Sequence, residues 1–321
     1  MINYISVATP PDEEEIRELS KNKHLNKAKN LKNDEFYTQL ETIERELKHY
    51  KKHFKDKIIY CNCDDYRFSN FFSYFKDNFN ELGLKKLIAT NYTETGESYK
   101  ATYTNNNLQV EELNGDGDFR SSEVAKLLKV SDIVVTNPPF SLFKEYISHL
   151  VNHNKDFIIL GSINAVTYID IFPYIRDEKI FTGVNFNVSE SFIVPDSYKD
   201  IVKTSINDNG ELTSKISNIA WYTTLVHDVE KYMSLNKIFK DGEYRKYDNY
   251  DAIEVSKVGD IPKDYNGIMG VPVNFLKDYS PKQFKIVGSN RGRKQDPTGY
   301  YGRSTYIDKK ETYKRIFIKR I

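Results

Sequence analysis

Apolar residues at Ile43, Leu47, Tyr50 and Phe54 recur at helical spacing and predict one apolar helix face, opposite a face that alternates Glu and Lys. The run Ile58-Ile59-Tyr60-Cys61 predicts a buried strand that stops at Asn62-Cys63-Asp64-Asp65. Residues 69–79 read as a short aromatic helix, 86–90 as a second strand, and 91–113 as a polar hairpin around Asn105-Asn106-Asn107. Gly115-Asp116-Gly117-Asp118-Phe119 is a turn signal, after which Ser121 or Ser122 caps a helix through Leu128. Asp132-Ile133-Val134-Val135-Thr136 predicts a strand halted by Asn137-Pro138-Pro139 and followed by a helix over 142–151 and a strand over 157–160. Strand signals recur at 180–186, 191–194 and 219–225. Such alternation predicts an α/β fold with a mostly parallel, doubly wound sheet. After about residue 226 the pattern turns irregular, rich in Tyr, Asp and Lys with Gly and Pro punctuation. The chain is therefore read as an aperiodic arm over 1–33, a catalytic domain over 34–225 and a substrate-recognition region over 226–321.

Composition narrows the class. Of 321 residues, 39% are hydrophobic, enough for a core, and the 24 Tyr can pack while keeping a polar tip at wet interfaces. No apolar run is long enough to span a bilayer and residues 1–20 do not resemble a signal peptide, so a cytoplasmic protein without a membrane partner is expected. The two cysteines, Cys61 and Cys63, have no His or Cys set to complete a metal site, and no metal is expected. The net charge of +1 hides a strong asymmetry: residues 282–321 carry twelve Lys or Arg against three acids, and 21–32 adds five lysines. Two basic ends around an acidic middle suit a body that grips a polyanion.

The candidate chemistry is Asn137-Pro138-Pro139-Phe140. In open α/β sheets ligands bind beyond the carboxyl ends of strands, where this turn falls. Two prolines stiffen it and leave carbonyl acceptors, and the Asn side chain supplies another. An aromatic amine needs this arrangement. The N6 lone pair of adenine is delocalised into the ring; two acceptors, Asn137 Oδ1 and the Pro138 carbonyl, hold both N6 hydrogens, favour a pyramidal nitrogen and stabilise the charge that develops there. Phe140 offers a flat face for a base taken out of its stack.

These residues resemble the N6-adenine DNA methyltransferases. The run from Ser131 to Tyr146 is similar to the EcoRI-type adenine-specific methyltransferases of restriction–modification systems. So are Asp34-Glu35-Phe36-Tyr37-Thr38-Gln39, 60–65, 115–123, 246–253 and Asp264-Tyr265-Asn266-Gly267-Ile268-Met269-Gly270-Val271-Pro272. These blocks occur in order over residues 24–287. The resemblance implies a Rossmann-like methyltransferase fold with S-adenosylmethionine as methyl donor. It also implies double-stranded DNA as partner, a flipped-out target adenine, a GAATTC-like site and a monomer. Phe36-Tyr37-Thr38 resembles the motif that wraps the methionine end of the cofactor, although Gln39 stands where the broader group has Pro. Asp118-Phe119 resembles the motif whose acid takes the cofactor's adenine amine and whose ring packs on its base; Asp116 is a rival for the acid.

The glycine-rich first loop of many methyltransferases is replaced by 61–65. Asn and Asp tolerate left-handed backbone, so Asn62 and Asp64 are expected at the cofactor. Thr90, Asn91 and Glu94 are all candidates for the ribose. Phe192 or Trp221 is a candidate second ring on the flipped base. Arg291, Arg293, Lys294 and Arg303 lie in loops expected to meet phosphates, with Arg291 or Arg293 alternatively reading guanine edges. Two other readings stand beside this one: a methyltransferase for protein glutamine amides, which uses a similar motif, and a DNA-binding module that has lost catalysis.

Overall fold

The computed structural model describes residues 37–94, 96–194, 199, 203–291 and 301–321. Phe36, Arg293, Lys294 and the arm over 1–33 lie outside the described residues.

Strand β1 (Tyr37–Thr38) enters helix α1 (Leu40–Leu47), whose last turn tightens into a 3-10 segment, Lys48–His53. That continuation keeps Ile43, Leu47, Tyr50 and Phe54 on one stripe, and all four are fully buried. β2 (Ile58–Asn62) follows, then α2 (Asn70–Asp77), capped by Ser69 Oγ accepting from the Phe71 and Phe72 amides. The cap and the aromatic face together explain a helix of eight residues. β3 (Lys86–Thr90) leads to a hairpin of β4 (Tyr99–Thr104) and β5 (Asn107–Glu112). Its turn places Asn105 at φ 48 and Asn106 at φ 63, the left-handed pair a tight hairpin requires. Ser121 caps α3 (Ser122–Val130), and β6 (Ile133–Thr136), α4 (Phe143–Asn152), β7 (Asp156–Ser162) and α5 (Phe172–Arg176) follow.

β8 (Phe181–Ile193), β9 (Thr204–Ile206) and β10 (Leu212–Thr223) complete a ten-stranded sheet of order β1-β8-β10-β7-β6-β2-β3-β4-β5, with β9 on β10. The mostly parallel expectation holds only at the centre, where β3, β2, β6 and β7 run parallel. Both flanks are antiparallel. The turn between β4 and β5 is too short for a parallel crossover, and β10 returns along β7 and β8 in the opposite sense. The two strand signals at 180–186 and 191–194 form one strand, because Asn187, Ser189 and Glu190 interrupt the apolar pattern without breaking the pairing.

The region after 226 is more ordered than its pattern predicts. A second sheet of β11 (Ala252–Glu254), β12 (Ile268–Pro272), β13 (Phe284–Ser289) and β16 (Arg315–Arg320) has the order β11-β12-β16-β13. β14 (Tyr306–Ile307) and β15 (Lys310–Glu311) form a separate ribbon. One apolar core unites the two sheets: Val134, Phe157 and Phe172 share it with Ile253, Met269, Phe284 and Ile316. A second core, with Ile43, Phe75, Phe192 and Trp221, covers the other face of the large sheet. Among the described residues no helix is long and apolar enough to cross a membrane.

Candidate active site

The carboxyl ends of β2, β3 and β6 are sewn together by hydrogen bonds within the chain. After β2 the chain turns at Cys63, φ 89, and the Cys63 and Asp64 amides both donate to the Thr90 carbonyl (3.1 and 2.8 Å). The left-handed position therefore falls on Cys63, not on Asn62 or Asp64. Asp64 accepts from Ser69 Oγ (2.6 Å) and from Thr136 Oγ1 (2.5 Å). One carboxylate thus joins the β2 loop to the cap of α2 and to the residue preceding Asn137. Its burial pushes the carboxyl up to about 6, partly offset by those two hydrogen bonds. Asn62, expected at the cofactor, is fully buried and is not among the residues that line the cavity described below. Asn62 is the last residue of β2, and the left-handed turn at Cys63 takes the chain out of strand geometry before Asp64.

These strand ends bound a cavity of about 400 Å³. Tyr37 and Thr38 line it from β1, Ser69 and Asn70 from the start of α2, and Asn137, Pro139, Ser141 and Leu142 from the turn after β6. Cys63, Asp64, Asp65, Asn91, Glu94, Gly117, Asp118 and Phe119 also line it. Residues far apart in sequence meet here because parallel strands deliver their following loops to one edge. Asn70 Nδ2 donates to the Thr38 carbonyl at 2.8 Å, and Thr38 Oγ1 is buried with no hydrogen-bond partner among the described residues. A buried hydroxyl left in that state in a cavity wall is suited to a polar ligand group.

The opposite loop is shaped by Gly117. Its φ is +80, and an added Cβ would sit 1.9 Å from the Asn91 carbonyl oxygen. Asp118 lines the cavity with its carboxylate gripped by Arg120, whose hydrogen bonds hold the carboxyl below the usual range. Phe119 also lines it but is 3% exposed, edge-on to Tyr146 and His149 at 5.0 and 5.4 Å. The rival acid, Asp116, is exposed, accepts from the Asp118 amide and is not a lining residue. Of the three ribose candidates, Asn91 and Glu94 reach the cavity; the Thr90 hydroxyl is buried against Tyr60 OH at 2.7 Å.

At the turn after β6, Asn137 is half-buried with Oδ1 shielded from solvent, and Pro138 is buried. The turn closes on the Pro139 carbonyl, which accepts from the Leu142 amide at 3.0 Å. Phe140 is half-buried, packs on the apolar core of the outer face and opens the short 3-10 turn into α4. Phe192 and Trp221 are fully buried in that same core and line no part of the cavity, so neither presents a second ring there. Their positions on β8 and β10 turn them inward beneath α1 and α2.

The basic C-terminal segment spends much of its charge internally. Arg315 forms a part-buried ion pair with the buried Glu254 (2.6 Å), Lys282 pairs with Glu230 (2.7 Å), and Lys314 Nζ donates to Asn164 Oδ1 (3.0 Å). Arg291 donates to Glu311 at 2.8 Å, whereas Arg303 keeps an exposed side chain beside backbone hydrogen bonds to Tyr250. Sequence reasoning missed Glu46, a fully buried carboxylate that accepts from the Val184 and Asn185 amides and from Tyr50 OH. A lone acid on the apolar side of a predicted helix was its only signal.

Residues 24–321 match the family described as adenine-specific methyltransferase EcoRI. The chain is 44% identical to the type II methyltransferase M.EcoRI of Escherichia coli, over 93% of this chain and 96% of the relative. It is 44% identical to the type II methyltransferase M.MgeORF184P of Mycoplasma genitalium, and 41% identical to M.MpnI of Mycoplasma pneumoniae. Each of these two alignments covers 82% of this chain and 85% of the relative. No solved structure matches it.

Proposed function

The chain belongs to the adenine-specific methyltransferase EcoRI family, and from that premise we propose that Asn137 and the Pro138 carbonyl receive the N6 amine of an adenine turned out of duplex DNA. As a member it is a type II, adenine-specific DNA methyltransferase of the restriction–modification class. The observation that carries the site assignment is the Asn137 turn at the carboxyl edge of β6, opening on the same cavity as Thr38, Asp64 and Phe119.

The residues present fit S-adenosylmethionine. Tyr37 and Thr38, whose hydroxyl has no partner among the described residues, suit the polar methionine end. Phe119 and Asp118 suit the adenine, and Asn91 and Glu94 the ribose hydroxyls. Phe36 would join Tyr37 from outside the described residues. When bound, the cofactor supplies an electrophilic methyl group on a sulfonium. Everything else is the work of the chain. Asn137 Oδ1 and the Pro138 carbonyl hold the two N6 hydrogens, free the nitrogen lone pair and stabilise its positive charge, aided by the low dielectric of a half-buried turn. Asp64 holds that turn in place through Thr136. Phe140 stacks on the extruded base, whose unstacking is offset by contacts to its edge and face.

The finer organisation follows the same reading. Residues 34–225 carry catalysis in a Rossmann-like fold, and 226–321 recognise the target, a GAATTC-like site. Arg303, Arg291 and the loop with Arg293 and Lys294 meet DNA phosphates. The enzyme works as a cytoplasmic monomer.

Incubation with labelled S-adenosylmethionine and unmodified genomic DNA tests the reading, with label expected on N6-methyladenine. Label confined to protein would instead mean glutamine-amide transfer, and DNA binding without label would mean a binding module. Single-molecule sequencing of the methylated DNA reports the recognition sequence.

A further inference from the structure

A second cleft, of about 230 Å³, opens where the large sheet meets the four-stranded one. Its polar lining is unusual for a chain with 46 acidic residues: four asparagines (Asn164, Asn187, Asn218 and Asn274), Lys314, and no Asp or Glu among the described residues that line it. Asn164 follows the carboxyl end of β7, the strand beside β6, and therefore lies on the sheet edge that bears Asn137. Asn187 and Asn218 come from β8 and β10, where the register slips between Ile216 and Ile219 and again between Ile219 and Ala220. Both have left-handed backbone, φ 57 and φ 62, and both are exposed. Bulges re-aim side chains, and here two strands bulge together so that two amides emerge in one cleft. Lys314, reaching across from the second sheet to Asn164 Oδ1 at 3.0 Å, gives the cleft its cation.

We propose that Asn187 and Asn218, which lie within the catalytic part of the chain, are specificity-determining residues that read base edges flanking the target adenine in addition to the contacts made by 226–321. This inference rests on the DNA-methylation reading above and deepens it. A carboxamide carries a donor and an acceptor in the spacing that matches N6 and N7 of adenine in the major groove. An acid-free lining with one lysine suits the field of a polyanion. Distance agrees as well. From β6 across β7 to β10 and β8 is two to three strand spacings of about 4.8 Å, which is about three to four nucleotide steps at about 3.4 Å each. The cleft thus faces neighbours of the methylated base and not the base itself.

The test compares wild type, Asn187→Ala, Asn218→Ala and the double variant on unmodified genomic DNA, followed by single-molecule sequencing of the methylated adenines. Affinity for S-adenosylmethionine is measured alongside as a control on folding. The expected result is unchanged cofactor affinity with a motif that becomes degenerate at one or two fixed positions. The rate on the wild-type motif should fall about 5- to 150-fold per amide, the range for loss of one bidentate base contact. Serine variants guard against a cleft collapsed by alanine and should degrade the same positions. If all variants keep the wild-type motif at undiminished discrimination, the proposal falls while DNA methylation stands. If wild type places no label on DNA, the underlying reading falls and takes the proposal with it.

Discussion

At the carboxyl edge of the large sheet, charged and polar side chains are arranged around a space, whereas in the four-stranded sheet they close upon one another. Asp64 is held by Ser69 and Thr136 at the wall of a cavity, and Asp118 by Arg120 at another part of it. In the second sheet Arg315 and Glu254 neutralise each other, with Tyr247 OH completing the carboxylate. The difference teaches that a charge count describes a segment but not its surface. Twelve basic residues over 282–321 suggest a DNA grip, yet Arg315 stabilises the fold, and Arg291 and Lys282 have carboxylate partners. Arg303 is an exposed cation of the kind the charge count suggests.

The contrast can be broken most forcefully at Arg315. Arg315→Ala leaves the buried Glu254 carboxylate without its cation, held only by Tyr247 OH and Ser256 Oγ, and should cost about 3 kcal/mol of stability, the low end for breaking a buried ion pair. Chemical denaturation measures this, and a loss under about 1 kcal/mol, the range of a surface pair, would mean the pair is not structural. At the other site, Asn137→Ala should lower the methyl-transfer rate about 100- to 1000-fold, in line with removal of one preorganised electrostatic group. Duplex binding should remain within a few fold of wild type; full activity in the variant would remove Asn137 from the mechanism.

A pH series sharpens the comparison for Asp64. Its folded carboxyl titrates at about 6, above the unfolded value near 3.9. The folded state therefore binds the proton more tightly, and this contribution to stability is complete below about pH 4 and lost as pH rises through about 6. Tighter proton binding by the folded state, from near 3.9 to about 6, corresponds to about 3 kcal/mol. Asp64→Asn has no such titration, so its melting temperature relative to wild type should rise between about pH 4 and 7 and then level off. A difference that stays flat with pH would show that Asp64 ionises normally. Arg303→Ala should do least: no change in melting temperature, severalfold weaker binding to all duplexes alike, and a salt dependence reduced by about one counterion. Weakening confined to one sequence would make Arg303 a base reader.

Local rules were legible. The stripe Ile43-Leu47-Tyr50-Phe54, the Ser69 and Ser121 caps, the Asn105-Asn106 turn and the strand that stops at Asn137 each depend on neighbours within a few residues. The Asn137-Pro138-Pro139 turn belongs to that set because two prolines end a strand wherever they occur. Family membership was legible too, from ordered blocks along most of the chain. Other features depend on partners far away in sequence. Phe192 and Trp221 are apolar rings whichever way their strands face, and only the pairing of β8 with β10 under α1 and α2 turned them into the core. The second sheet was hidden because its short strands are separated by long polar connections, and β12 pairs with β16 from far along the chain. Chain order thus determined the elements, the caps and the place of the Asn137 turn. Tertiary packing alone decided which of two nearby side chains reached the cavity, Asp64 and not Asn62, and which arginines turned inward to carboxylates. Burial and pairing are properties of the assembled surface, and no residue carries them by itself.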